Sequence, residues 1–120
     1  MAMDLSADFL QRRSANFRPM TPIQFLRRAA EVFPDRVAVI HGEISYTWRD
    51  HDRRCRQLAS ALKHRGIGKG DVVAVLCPNT PAMLEAHFGV PMSGAVLNTL
   101  NTRLDAAAIG TWVARHPPLP

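Results

Sequence analysis

The sequence predicts an α/β fold: an incomplete α/β domain in which a β-hairpin and parallel βαβ units are flanked by helices. The main observation is the order strand, loop, helix, turn and strand over residues 71–101. Val72–Leu76 is a short apolar, β-branched run, as expected of a strand covered on both faces. Thr80 as N-cap and Pro81 at the first position then start a helix, and residues 95–97 form the second strand. A crossover of this kind joins parallel neighbours.

Before this unit, Met20–Phe33 is predicted to be a helix with a well-defined start. Thr21 occupies the N-cap and Pro22 the first helical position, and Gln24 completes a capping box. Met20 and Phe25 occupy the two positions of a hydrophobic staple. The apolar face continues at helical spacing through Leu26, Ala29, Ala30 and Phe33.

Residues 36–48 are predicted to form the β-hairpin. Val37–Ile40 is the first arm, residues 41–43 include the glycine that a tight turn needs, and Ile44, Tyr46 and Trp48 alternate with polar residues on the return arm. Exposed aromatic residues on a strand can also stack on nucleic-acid bases. Burial of Tyr46 in an amphipathic strand is the favoured interpretation.

Thr47–Arg65 is predicted to be a basic, amphipathic helix, with a capping-box-like start at Thr47 and Asp50. Residues 47–70 hold seven basic and two acidic residues, which accounts for the whole formal net charge of +5. The predicted buried stripe is Trp48, His51, Cys55, Leu58, Ala59 and Leu62; the predicted basic stripe is Arg49, Arg53, Arg56, Ser60 and Lys63. The basic stripe either contacts nucleic acid or an acidic membrane, or is a solvated outer face, and we favour the second.

After this helix, residues 66–71 are expected to be a glycine-rich turn leading into Val72–Leu76, with Asp71 in the turn. The following helix is expected to direct Met83, Leu84, His87 and Phe88 inward, with His87 as a core histidine, and Pro91 should end or kink it. Leu104–Arg115 is the last predicted helix.

The domain prediction is a partly disordered leader over residues 1–19, an α/β domain over residues 20–116 and a proline-rich tail over residues 117–120. With 47% hydrophobic and 21% charged residues, the composition is that of a globular protein. No apolar run is long enough to cross a membrane. Cys55 and Cys77 show no paired motif, which favours a reducing compartment and a cytoplasmic location.

No catalytic, cofactor-binding or metal-binding residue is predicted. The five histidines, His41, His51, His64, His87 and His116, share no metal-ligand spacing with one another or with the cysteines. His51 and Cys55 are i, i+4 neighbours that could form a reactive thiolate pair. Both lie on the predicted buried stripe, so a structural role is favoured.

Five segments occur in an order that resembles a known family. They are Met20-Thr21-Pro22-Ile23-Gln24-Phe25-Leu26, Tyr46-Thr47-Trp48, Gly70-Asp71-Val72-Val73-Ala74-Val75, Pro78-Asn79-Thr80-Pro81-Ala82-Met83, and His87 to Asn101. Together they resemble the amino-terminal end of the AMP-forming acyl-CoA synthetases, of the adenylate-forming superfamily. The plant acyl-activating enzymes of the short- and medium-chain or benzoate-activating kind are the nearest resemblance, which covers residues 17–109.

This resemblance implies a ligase that uses ATP, Mg²⁺ and coenzyme A to convert a carboxylic acid to its acyl-CoA, releasing AMP and pyrophosphate. The family's phosphate loop, ribose-binding aspartate and catalytic lysine would lie beyond the last residue. We therefore expect a truncated chain that is inactive alone and carry over no site residue. The alternatives are a small nucleic-acid-binding module and a partner that self-associates or docks through the uncovered edge of its core. Full-length relatives can be peroxisomal, but Pro118-Leu119-Pro120 is not a peroxisomal signal.

Overall fold

The computed structural model describes residues 11–115 and contains two small sheets and four helices in that range. The elements in chain order are α1 (Pro22–Val32), β1 (Val37–His41), β2 (Ile44–Thr47), α2 (Trp48–His64), β3 (Val72–Val75), α3 (Pro81–Ser93), β4 (Val96–Thr99) and α4 (Ala106–Arg115). This mixed α/β architecture confirms the predicted fold class. Within the described range no helix has the length and apolar character needed to cross a bilayer. The predicted leader is described only from residue 11, and the predicted tail lies outside the described residues.

Both predicted strand pairings are present. β1 and β2 form an antiparallel hairpin in which Val39 faces Tyr46, and Gly42 takes the left-handed φ of 56° that the turn needs. Trp48 was expected to end the return arm, but it is the first residue of α2, because the hydroxyl of Thr47 already caps that helix. β3 and β4 pair in parallel with Val72 opposite Val96, which confirms the predicted crossover.

The β3–β4 sheet is covered on one face only, so the expectation that Val72–Leu76 is covered on both faces is wrong. Val73, Val75 and Leu97 pack on the core of α2 and α3 residues. On the opposite face Val72 is 41% exposed and its partner Val96 is 57% exposed. The reason is that α3, the crossover helix, lies on one side of the sheet and no described element covers the other.

Helices α2 and α3 form the centre of the molecule, and their contact is unusually close at Gly89. The buried residues of this interface include Cys55, Ala59 and Leu62 from α2 and Ala86 and Val90 from α3. A Cβ placed on Gly89 would lie 2.8 Å from Cδ2 of Leu58 and 2.9 Å from the carbonyl oxygen of Cys55. Only glycine fits between these two backbones at this separation.

The predicted stripes of α2 are confirmed. His51, Cys55, Ala59 and Leu62 are buried and Leu58 is half-buried, whereas every residue of the predicted basic stripe is exposed. The sequence did not predict the burial of Asp52, which lies beside His51 on the inner side of the helix. Asp52 is tolerated there because Arg56 pairs with it from the solvent side at 2.7 Å.

The helix starts are partly as predicted. The hydroxyl oxygen of Thr21 accepts from the Gln24 amide at 3.3 Å, and that of Thr47 accepts from the Asp50 amide at 3.2 Å. Thr80 was expected to cap α3 in the same way, but its hydroxyl makes no cap bond and instead lies 3.4 Å from the Cys77 sulfur. Helix α3 runs through Pro91 and ends at Gly94, where φ is 97°.

Two further expectations about apolar packing are corrected. Met20 and Phe25 are both exposed, so no buried staple forms at the start of α1, and Phe33 is also exposed. Leu26 is the residue that anchors α1 to the core. Helix α4 begins at Ala106, where Asp105 accepts from the Ala108 amide at 2.7 Å, and it contains no buried residue.

We predict that Gly89→Ala destabilises the protein by about 1–3 kcal/mol, because the added methyl group overlaps a backbone carbonyl that cannot move without separating α2 from α3. Gly110→Ala is the matched control, since no atom lies within 4 Å of a Cβ at that position. The control should be neutral or stabilising, because alanine is the better helix former. Urea unfolding followed by circular dichroism measures both, and equal midpoints for Gly89→Ala and wild type would contradict the close contact.

Candidate functional site

The best candidate site is a polar cleft at the carboxyl ends of β3 and β4. In open α/β sheets, ligands bind in the crevice outside the carboxyl ends of parallel strands. The cleft has a volume of about 560 Å³. The segment after β3 (Cys77, Pro78, Asn79) forms one wall, and residues 99–103 after β4 form the other. A hydrogen bond of 2.9 Å from the Leu100 amide to the Val75 carbonyl holds the two segments in register.

Helix α3 supplies Met83 and His87 to this cleft. The Nδ1 atom of His87 lies 2.8 Å from the carbonyl oxygen of Met83. Because a carbonyl can only accept, Nδ1 carries the proton, and in the neutral ring Nε2 keeps its lone pair. The prediction that His87 is a core histidine is wrong, since its side chain is exposed. It is an oriented hydrogen-bond acceptor at the cleft wall.

An apolar groove of about 580 Å³ lies on the other side of the same residues. It separates the hairpin residues Val39 and Ile40 from Leu84 and Phe88 of α3, and it shares Asn79, Met83 and His87 with the polar cleft. Leu84 was expected to face inward, but it is partly exposed and lines this groove. Helix α3 therefore presents one polar and one apolar recess, a combination typical of small-molecule sites.

His51 and Cys55 are close together but are not placed for reaction. The Cys55 sulfur lies 3.9 Å from Nδ1 of His51, and the His51 ring packs edge-on against Phe88 at a centroid distance of 5.5 Å. Burial raises the pKa of the Cys55 thiol to about 12, so it stays protonated at neutral pH. Burial lowers the pKa of His51, against the opposing effect of Glu85 and Asp52. The favoured structural role of this pair agrees with the observed geometry.

The buried charge beside this pair is neutralised across the helix interface. Glu85 of α3 is 8% exposed and receives a bidentate ion pair from Arg54 of α2, with the second contact at 3.4 Å. Arg54 also stacks on the ring of Tyr46 at 4.7 Å. The half-buried position of Tyr46 in the hairpin favours this packing role over base stacking. Local sequence patterns do not indicate this arrangement, because Arg54 and Glu85 are 31 residues apart.

Within residues 11–115 no three His, Cys, Asp or Glu side chains are close enough to hold a metal ion. The polar cleft contains no carboxylate: its polar side chains are those of Asn79, His87, Asn101 and Arg103, with the hydroxyls of Thr99 and Thr102. It therefore does not fit a Mg²⁺ ion by itself, since Mg²⁺ sites in proteins are built on carboxylates. His116 lies outside the described residues. Sequence reasoning missed the cleft residues, although the strand-end rule applied to 77–79 and 99–103 would have found them.

Comparison with known proteins identifies the family. Residues 26–115 match the family described as AMP-binding enzyme. The chain belongs to the AMP-binding enzymes. It is 57% identical over 102 residues to a peroxisomal acetate/butyrate–CoA ligase of Arabidopsis thaliana, covering 85% of this chain and 18% of the relative. It is 50% identical over 109 residues to a peroxisomal benzoate–CoA ligase of the same plant, covering 91% and 19%.

Solved structures agree with this assignment. A long-chain-fatty-acid CoA ligase from Rhodopseudomonas palustris superposes with a TM-score of 0.74 at 37% identity, covering 78% of this chain and 24% of that one. The amino-terminal subdomain of Klebsiella oxytoca NpsA superposes with a TM-score of 0.71 at 27% identity, with the same two coverages. This AMP-binding chain thus corresponds to the amino-terminal part of acyl-CoA ligases, and it spans less than a quarter of the chains it matches.

We predict that the free energy of unfolding falls as the pH is lowered from about 7.5 to 5.5, partly because of His51. The unfolded chain binds a proton at this histidine near its ordinary pKa of 6.5, whereas burial resists protonation in the folded protein. The unfolded state therefore binds more protons, and stability rises with pH by up to about 1.4 kcal/mol per pH unit for this group.

Replacing His51 with glutamine should make this pH dependence shallower, whereas His64→Gln at an exposed position should leave it unchanged. Urea titrations at a series of pH values provide the measurement. A His51→Gln variant with the slope of wild type would show that His51 is not the group responsible.

Proposed function

We propose that this chain forms the amino-terminal scaffold of an AMP-forming acyl-activating ligase and is inactive on its own. The reaction proposed for the complete enzyme has two steps. A carboxylate attacks the α-phosphate of ATP, giving an acyl-adenylate and pyrophosphate, and the thiolate of coenzyme A then displaces AMP. ATP, Mg²⁺ and coenzyme A are proposed for the complete enzyme only. The observation that carries the proposal is the family match over residues 26–115, together with an α/β architecture that superposes on acyl-CoA ligases.

The proposed inactivity is supported by the chemistry of the described residues. Activation of a carboxylate by ATP requires cations that offset the charge of the phosphates and a metal held by carboxylates. The polar cleft contributes one guanidinium, Arg103, and no acidic side chain. The described residues do contribute the ends of β3 and β4, held together by a hydrogen bond, and the oriented imidazole of His87. A second part of the enzyme can complete a site around these groups.

The partner that we propose for this scaffold is the remainder of the ligase, packed on the uncovered face of the β3–β4 sheet. Val72 and Val96 are neighbours on that face and are both exposed apolar residues, and apolar surface of this kind is a common docking site. β3 and β4 each pair with only one strand in the described range, so both edges of this sheet are free to extend.

The nucleic-acid-binding alternative rests on the exposed basic stripe of α2, and the structure favours it less. Arg49 is paired with Asp35 at 3.1 Å, Arg53 with Asp50 at 3.0 Å and Arg56 with Asp52 at 2.7 Å, so three of the four charged residues of that stripe have an acidic partner. Several relatives are named as peroxisomal. A cytoplasmic location for the present chain stays a prediction.

The proposal is tested by complementation. The acetate/butyrate–CoA ligase of Arabidopsis thaliana, with the segment matched by this chain deleted, is combined with the purified 120-residue protein, and pyrophosphate release is measured with ATP, Mg²⁺ and acetate or butyrate. We expect no release from either part alone and release from the mixture. Pyrophosphate release by this chain alone would overturn the proposed inactivity. Absence of pyrophosphate release from the mixture would overturn the scaffold role.

A pair of variants makes the complementation test specific. Val96→Lys places a charge on the face proposed for docking, and Val113→Lys places the same charge on α4, where no residue is buried. An unpaired charge buried on docking costs several kcal/mol, so Val96→Lys should reduce the complemented rate at least about tenfold. Val113→Lys should leave it unchanged. Equal rates for the two variants would place the docking surface elsewhere.

A further inference from the structure

A basic cleft lies between α1 and α2, away from the strand ends that form the candidate site. It has a volume of about 400 Å³. Arg27 of α1 lines one side, and Arg56, Lys63 and His64 of α2 line the other, with no acidic residue in the lining. We propose that this basic cleft binds the phosphate group of a phosphate monoester, carried either by a soluble compound or by an anionic lipid.

Lys63 is the one lysine or arginine of α2 without an ion pair among the described residues, and it lies at this cleft. Nearer the start of α2, Arg49 pairs with Asp35, Arg53 with Asp50 and Arg54 with Glu85. In the part of the chain that the structure describes, neither Arg27 nor Lys63 forms an ion pair. These two side chains reach the same recess from different helices, so an anion held between them would also bridge α1 and α2.

Arg56 is held in a fixed orientation at the edge of the cleft. Its Nε donates to Oδ2 of Asp52 at 2.7 Å, and the Asp52 side chain is only 10% exposed. A guanidinium has five N–H donors in a rigid plane, so this ion pair uses one edge and leaves the outer donors available. Planar donor pairs of this kind match the oxygen atoms of a phosphate. Asp52 is thus a positioning residue for Arg56.

The other residues of the lining suit a ligand in which the phosphate group is attached to a less polar moiety. The exposed Ser60 lies one turn after Arg56 and carries a hydroxyl that can donate to a third phosphate oxygen, while Ala59 and Met92 provide an apolar floor. The volume falls in the range of about 300–1,000 Å³ that small-molecule sites occupy. In a simpler role, Lys63 and His64 would only complement the partial negative charge at the carboxyl end of α2. That role does not explain why Arg27 of the neighbouring helix lines the same cleft.

The experiment is isothermal titration calorimetry of the full 120-residue chain with inorganic phosphate at low ionic strength. The test variant is Arg27→Gln/Lys63→Gln, and the charge-matched control is Arg53→Gln/Arg65→Gln, which removes two exposed positive charges outside the cleft. We expect the wild-type chain to bind phosphate saturably. The affinity should fall at least about tenfold in the test variant, which is equivalent to the loss of one charge-assisted hydrogen bond. The control variant should keep the wild-type affinity. Circular dichroism confirms that both variants are folded.

Two further probes distinguish the sources of the phosphate. The first probe is sedimentation with phosphatidylcholine vesicles prepared with and without phosphatidic acid. The source is a lipid if the chain binds only the vesicles that contain phosphatidic acid and if the Arg27→Gln/Lys63→Gln variant does not bind them. Binding of inorganic phosphate without binding to these vesicles identifies a soluble source. Equal loss in the test and control variants, or no saturable binding to either probe, would overturn the proposal. The proposal would also be overturned, in favour of a nucleic-acid surface, if the protein binds double-stranded DNA and this binding is lost in the control variant but kept in the test variant.

Discussion

The structure depends on the close contact between α2 and α3 at Gly89. There the α3 backbone approaches Leu58 and the Cys55 carbonyl to a distance that no side chain on residue 89 would allow. This contact aligns Cys55, Ala59 and Leu62 with Ala86 and Val90, and it forms the surface on which Val73, Val75 and Leu97 of the sheet pack. The strand ends that form the polar cleft are therefore positioned by the helix pair, and α3 also supplies Met83 and His87 to the cleft.

The same interface explains where charge is tolerated inside a small core. Glu85 and Asp52 are both buried, and each is paired with an arginine of α2 that reaches in from the solvent side. A buried carboxylate without such a partner would cost several kcal/mol or take up a proton. The pairs add little net stability, since the desolvation of each acid offsets much of the attraction. They do fix the positions of Arg54 and Arg56, and they leave Lys63 as the one lysine or arginine of α2 without an ion pair in the described range.

Much of the fold could be predicted from local sequence signals. The threonine caps of α1 and α2, the hairpin turn at Gly42 and the buried stripe of α2 all follow from patterns within a few residues. The parallel pairing of β3 with β4 follows from the crossover rule. The missed features depend on neighbours distant in sequence. Helix α3 is apolar on most of its surface, so periodicity could not show that Glu85 faces α2 while His87 and Leu84 line surface recesses.

The candidate site was predictable in position but not in composition. The strand-end rule places a cleft after β3 and β4, but only the folded chain shows that His87 is oriented by the Met83 carbonyl and that no carboxylate lines the recess. The exposed face of the β3–β4 sheet was not anticipated, because an apolar β-branched strand indicates burial without indicating which chain segment provides it. The family relationship, in which this chain covers 18–19% of two plant ligases, agrees with a surface that is completed by other residues.

The dependence of the fold on the α2–α3 contact is tested most directly by native-state hydrogen exchange resolved by residue. If the contact at Gly89 organises the structure, the amides of Cys55–Leu62 and of Ala86–Val90 exchange most slowly and share one opening free energy, equal to that of global unfolding. The amides of α4, which has no buried residue, exchange through local opening at much lower free energy. Separate opening of α2 and α3, or slower exchange in the hairpin than in either helix, would contradict the account.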